Sequence, residues 1–502
     1  MKSMMRFTLL AVATIGMTVF TACKKEEGCT DPSATNYNPE AKKDDGSCVY
    51  GGGGGGTGTK EIVEVSGNIT NEVTWTNDKI WRLNGFVRVQ DGGVLNIEPG
   101  TVIFGDTQSK GTLVVQMGGK IYAEGTASEP IIMTSEKAPG FRIPGDWGGL
   151  VVCGKAPNNV PGGQAELEGG YGAFHGGNDP NDNSGVLKYV QINYAGIPIN
   201  PNEEVNSLTM GSVGRGTVIE HVLCAYGLDD AFEWFGGTVD CKYLVAYRGL
   251  DDDLDVDLGY SGYVQYALCI RGASLADQSG SNGFEVDNDG SGSNNAPFTS
   301  GTFSNVTIIG PKKDRETPIS LQFQHAAQLR RNNKLKIHNT FMTAYPDGLF
   351  INQANTAQNA QNDELRVRNT ILAGVNHWGG NGYGSAGTIF ADAPANGAQH
   401  PNNPRGNALK TDADGFDINA WFNTPGWGNQ LVDSWQDAGI DGSLFDLGTP
   451  NVLPNSGSML LSGANFDGLP SYFDQVPFIG AFGTEDWTQG WVDWNCALTP
   501  YN

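Results

Sequence analysis

Between Asp229 and Asp289 the chain carries thirteen acidic residues against only three basic ones, Lys242, Arg248 and Arg271. The acids keep a pattern. Glu233, Asp255 and Glu285 each stand second in the triplets FEW, LDV and FEV, and Asp257 and Asp287 follow two positions later. Clustered carboxylates are the chemistry of a hard divalent cation, above all Ca²⁺, which takes carboxylate and carbonyl oxygens. Without a cation the same residues make a solvated acidic face with Asp in its turns, where Asp is at home. Both readings are open. Arg248 and Arg271 stand at matching places 23 residues apart, able to neutralise the acids or to meet an acidic ligand.

The elements that position these residues repeat. TVIEHVLCAYGLDD from Thr217 is followed by TVDCKYLVAYRGLDD from Thr238 and YVQYALCIRG from Tyr263, a period of about 23 residues. Each copy is a short alternating apolar run ending at Gly, rich in Val, Ile, Tyr and Thr, which is strand chemistry. Short strands at this period predict a parallel β-helix with three strands per coil; propeller blades need about 40–45 residues. Side chains then alternate between core and outside. Aligning the opening strand of each coil points Leu208, Phe232, Leu254, Phe284, Leu321 and Leu349 inward. Glu233, Asp255, Glu285 and Gln322 form one outward column, and Asp257, Asp287, Gln324 and Asn352 a second. Coils lie roughly 4.8 Å apart, so like charges at that spacing repel unless screened.

About 440 residues are too many for an ordinary compact domain but suit a solenoid, whose coils contact only their neighbours. Gly at 71 of 502 fits many tight turns, because 39% of the chain is hydrophobic. A net charge of −24 argues against nucleic acid as a partner. Cys224 and Cys269 fall two coils apart, too far for a disulfide, and read as buried apolar side chains.

The order along the chain is read as follows. Residues 1–22 predict a signal peptide: Lys2 and Arg6 precede the apolar run FTLLAVATIGMTVF. FTAC ends at Cys23 and resembles a lipobox, so cleavage and acylation there would tether the protein to a membrane. The tether covers 23–60, with six glycines at 51–56 as a flexible linker. The β-helix covers 61–370. Residues 371–502 hold long loops, the last coils and a cap: DADGFDINAWFNT predicts a short helix with Asp414 as N-cap, and the aromatic run through Tyr472, Phe478, Trp487, Trp491 and Trp494 is expected to cover the open apolar end. Stacking on sugar rings is the alternative use of that run.

Several motifs carry a resemblance. GGVLNIEPGTVIFG, GTLVVQMGGKIYAEGTASEPIIMTS, GDWGGLVVCGKAP, NDPNDNSGVLKYVQINYAG, DDAFEWFGGTVD, SGSNGFEVDNDG and IGAFGTEDWTQGW resemble Bacteroidota surface lipoproteins of the right-handed parallel β-helix type, over roughly residues 60 to 495. The resemblance implies an all-β fold and an outer-membrane, cell-surface location; it implies no settled activity. KKEE after Cys23 resembles the export signal of such lipoproteins. GCTDPSATNYNPEAKKDDGSC resembles a small module of Bacteroidota surface proteins. This implies a Cys29–Cys48 disulfide, with Asp31, Asn36, Asn38, Asp44 and Asp45 either holding Ca²⁺ or merely decorating a stapled loop.

Three functions follow as expectations. The first is a non-catalytic, lipid-anchored surface binder that presents an acidic, Ca²⁺-loaded face to a glycan, a metal or a partner outer-membrane protein, as an accessory to a TonB-dependent transporter. The second is a polysaccharide-active enzyme resembling pectate-lyase-like β-helices, with Asp255, Asp257, Glu285 and Asp287 on Ca²⁺ and Arg248 or Arg271 as base. The scarcity of basic residues near the acids weighs against it. The third is an adhesin or structural spacer.

Overall fold

Strand alternation and repeat period build one continuous parallel stack. The computed structural model describes residues 42–43, 60–200, 203–314, 317–375 and 408–501. The chain divides into two units, Met1–Thr57, of which residues 42 and 43 are described, and Gly58–Asn502, which holds the coil. The expected signal peptide, Cys23 with its expected lipid, the glycine linker, and the expected Cys29–Cys48 module with Asp31, Asn36, Asn38, Asp44 and Asp45, apart from Lys42 and Lys43, lie outside the described residues. So does the loop His377–Asn407.

Three parallel sheets run the length of the coil. Sheet A stacks Thr112–Val115, Gly149–Cys153, Leu208–Gly211, Phe232–Phe235, Leu254–Asp257, Phe284–Val286, His325–Leu329, Asp347–Ile351 and Leu409–Thr411. The longer strands, such as Val218–Ala225, Cys241–Tyr247 and Tyr263–Ile270, bend in the middle and serve sheets B and C in turn. Each bend is one residue in the left-handed region. Tyr189, His221, Tyr243, Tyr266, Asn305, Asn339 and Asn369 stack there with φ between 48° and 62°. Asn tolerates this conformation. The aromatic residues offset its cost by stacking: Tyr189–His221 and His221–Tyr243 lie at 4.3 Å between ring centroids, and Tyr243–Tyr266 at 4.9 Å.

The core fills the coil. From sheet A, Leu208, Phe232, Leu254, Phe284, Ala327 and Leu349 point inward, and so do Met210, Trp234, Val256, Val286, Leu329 and Ile351. Cys224 and Cys269 are buried free thiols facing the same core, two coils apart through Ala246. Four expectations are corrected here. Ala327, not Leu321, continues the inward column after Phe284, and Leu321 is exposed. Gln328 therefore takes the outward place expected for Gln322, and Arg330 the place expected for Gln324, because its N–H donates to Val286 O as the next coil's strand ends. Small Ala327 gives little apolar signal, so the pattern had slipped six residues onto a window with bulkier side chains.

The third correction concerns the aromatic C-terminus, which covers a flank of the coil. It runs back along the bend ladder, stitched at nearly every coil. Asn369 Nδ2 donates to Gly463 O, Asn339 pairs with the backbone of Asn465, Asn305 donates to Phe478 O, and Gln265 holds both the N–H and C=O of Asp474. Gln191 donates to Trp491 O, and Arg142 Nη1 to Cys496 O at 2.7 Å and Thr499 O at 2.9 Å. Trp491 meets Tyr189 and His221 edge-on at 79° and 78°. The last-coil end of the core is closed instead by helix α1 (Ala354–Gln361) and helix α2 (Ile418–Phe422), with Trp421 Nε1 donating to Ala360 O at 3.0 Å. The N-cap of α2 is Asp417, whose side chain accepts from Ala420 N, rather than Asp414.

Candidate acidic site

The outer face of sheet A changes character along the stack. Over its early strands an excursion between Cys153 and Leu208 folds back and covers it: Leu167, Tyr171, Ala173 and Val205 pack on Val114, Val151 and Cys153. Where that cover stops, the outward column becomes Glu233, Asp255 and Glu285, in register on adjacent strands.

The turns that feed these strands add a second set. Asp230 Oδ1 accepts from Asp252 N at 2.8 Å, Asp252 Oδ1 accepts from Asn282 N, and Asn282 Oδ1 accepts from His325 N at 3.0 Å. Each side chain thus caps the backbone one coil on, which explains an Asp or Asn at every repeat and keeps Asp230 and Asp252 buried and aligned. Asp229 and Asp251 stand one residue before them.

Together these residues line a pocket of about 250 Å³ with nine carboxylates: Glu168 and Glu204 from the excursion, Asp229, Asp230, Asp251 and Asp252 from the turns, and Glu233, Asp255 and Glu285 from sheet A. Arg330 is the one basic side chain among the described lining residues. Three triads offer oxygens all within 4.8 Å of one another: Asp229, Asp230 and Asp251; Asp230, Glu233 and Asp255; Asp252, Asp255 and Glu285. Two ligands on one Ca²⁺ span at most about 4.6–5.2 Å, twice the Ca–O distance, so each triad is the right size for one ion.

The electrostatics are those of a site short of positive charge. Burial first, and then Glu204 and its other acidic neighbours, push the Asp229 carboxyl up to about 8. Burial and Asp251 take Asp252 to about 8, and burial and Asp252 take Glu285 to about 8. Asp230, Glu233, Asp251 and Asp255 are raised well above the ordinary range, again by burial and then by one another. Such an array holds either protons or cations.

Of the residues singled out in the sequence, Glu233, Asp255 and Glu285 meet in the pocket. Asp257, pushed to about 7 by burial and Asp287, lies beyond the triads. Asp287 is ion-paired to Arg330 Nε at 2.9 Å and Arg331 Nη1 at 2.8 Å. Neither Arg248 nor Arg271 lines the pocket. Arg271 is buried, 3.0 Å from Asp253 Oδ2, donating to Gly249 O, Asn282 O and Tyr345 OH. Arg248 donates to Tyr226 OH at 2.7 Å and lies over its ring. The cation that does neutralise the ladder is Arg330, which pairs with Glu285 from the next coil, 45 residues along the chain. Sequence spacing hid it because the coil between them is lengthened by loops. The double-Asp turns GLDD and GLDDD were the signal for Asp229, Asp230, Asp251 and Asp252; nothing local marked Glu168 and Glu204.

A family model described as a pectate-lyase-like β-helix domain matches residues 67–422. Among curated proteins, ribulose bisphosphate carboxylase/oxygenase activase 1, chloroplastic, of Larrea tridentata is 79% identical over 24 residues, 5% of either chain, a stretch too short to inform function. No solved structure matches.

Proposed function

Since the chain belongs to the pectate-lyase-like β-helix family, we propose that it works as a cation-loaded binding protein rather than as a catalyst. The observation that carries this reading is the chain of three overlapping carboxylate triads in one pocket. Ca²⁺ is the proposed ion, since every candidate ligand is an oxygen and Ca²⁺ accepts such ligands in variable number and geometry. Bound ions turn a face that repels anions into one that offers open coordination positions to hydroxyl or carboxylate oxygens of a glycan or of a partner outer-membrane protein. Lipid at Cys23 would place this face outside the outer membrane, where an accessory role in nutrient uptake through a transporter fits.

A Ca²⁺-dependent lyase is the second reading, favoured by the family description. It needs a base beside the ions, and both arginines expected for that role are spent elsewhere, Arg271 on Asp253 and Arg248 on Tyr226. The test is a calorimetric Ca²⁺ titration of the full chain against Asp230→Asn/Glu233→Gln/Asp255→Asn. Binding by the wild type and its loss in the triple variant supports the cation site; no binding by the wild type refutes it. Release of unsaturated product from a uronide polymer would establish the lyase instead.

A further inference from the structure

The triads are linked in a row. The first shares Asp230 with the second, and the second shares Asp255 with the third. Their surroundings differ. Beside the second, Asn206 is 4% exposed; its amide nitrogen donates to Glu233, and its carbonyl oxygen has no partner. A buried amide oxygen left over next to a buried carboxylate is a ligand in search of a cation, because Ca²⁺ takes Asn carbonyls together with carboxylates.

The third triad already has a positive charge. Arg330 pairs with Glu285 through Nη2 and with Asp287 through Nε, and its own N–H is fixed to Val286 O at 2.9 Å. Its side chain is only 19% exposed, and Arg331 braces Asp287 from the other side. A planar guanidinium gripping two carboxylates holds its place firmly.

We infer that the pocket binds two divalent cations, bridged by Asp230, and that Arg330 is a tethered third cation which occupies the remaining carboxylate set and fixes the count. The inference rests on the reading of the pocket as a cation site. Asp230 is then the shared ligand, Asp255 the link to the guanidinium, and Arg330 a specificity-determining residue that sets how many ions the face presents.

The experiment is native mass spectrometry of the full chain with Ca²⁺ alone, paired with calorimetric stoichiometry, and ions held outside the pocket are subtracted with Asp230→Asn/Glu233→Gln/Asp255→Asn as the reference. The wild type is expected to hold two ions in the pocket, Arg330→Gln three, and Glu285→Gln still two. Arg330→Gln remaining at two, Glu285→Gln falling to one, or a wild type that already holds three would each overturn the inference while leaving the cation site standing. A wild type that holds none would overturn both. Should Arg330→Gln fail to fold, as read by its melting curve, Glu285→Gln decides alone.

Discussion

Filling the acidic pocket with Ca²⁺ at neutral pH must expel protons, and the number is set by the geometry. Asp229, pushed to about 8, keeps its proton roughly nine-tenths of the time at pH 7, one unit being a factor of ten. Asp230, Glu233 and Asp255 are raised well above the ordinary carboxylate range by burial and by their acidic neighbours, which favours their protonated forms. Ions on the first two triads therefore displace at least two protons. Each displaced proton weakens apparent affinity about tenfold per pH unit, so with at least one proton displaced per ion each Kd should rise at least ~10-fold, about 1.4 kcal/mol, between pH 7 and pH 6. Calorimetry in two buffers of different ionisation enthalpy counts the protons directly. Release of less than about half a proton, or a Kd that moves less than about threefold, would refute the argument. The same shifts govern stability. These acids have folded values above their unfolded ones, so in chelator the stability they allow is full below pH ~4 and is lost as pH rises to about 8. Saturating Ca²⁺ should abolish that fall in Tm.

Other outcomes are equally direct. Arg271→Met leaves Asp253 buried without its cation and should cost about 3–5 kcal/mol in denaturant unfolding, with Asp253→Asn/Arg271→Met recovering much of the loss. Phe284→Ala, at a fully buried core position, should cost about 3–5 kcal/mol without changing ion stoichiometry. Gln265→Ala strips both hydrogen bonds to Asp474, leaving the strap's backbone groups unpaired; a loss of about 1–3 kcal/mol and faster proteolysis around Asp474 are expected. His221→Asn keeps a residue that tolerates left-handed φ but removes two ring stacks, so about 1–3 kcal/mol should be lost, against more for His221→Val.

The fold was legible because strands stamp a period of two on the chain and coils stamp a second period of about 23 residues between Thr217 and Tyr263. Both signals depend on side-chain bulk. They held through Phe232, Leu254 and Phe284 and failed at Ala327, where a methyl group fills the column. The site was half legible for a related reason. Glu233, Asp255 and Glu285 ride on the strand repeat and could be placed, whereas Arg330 arrives after a lengthened coil, and Glu168 and Glu204 arrive on an excursion whose landing point no local pattern encodes. The aromatic C-terminus announced that it covers something apolar; periodicity carries no information on whether that is an end or a flank.

The strap has an evolutionary and engineering corollary. Solenoids ordinarily lengthen or shorten by duplicating or dropping a repeat, since each contacts only its neighbours. Here Gly463, Asn465, Phe478, Asp474 and Trp491 meet the rungs of Asn369, Asn339, Asn305, Gln265 and Gln191, the segment doubling back after Asp474 to reach Asn339 again at Gly480 before it finishes at Arg142. It acts as a tally stick cut against the stack. A duplicated coil would throw every later notch out of step, so this scaffold is locked to its number of turns, and new loops are the cheaper route to new binding surface.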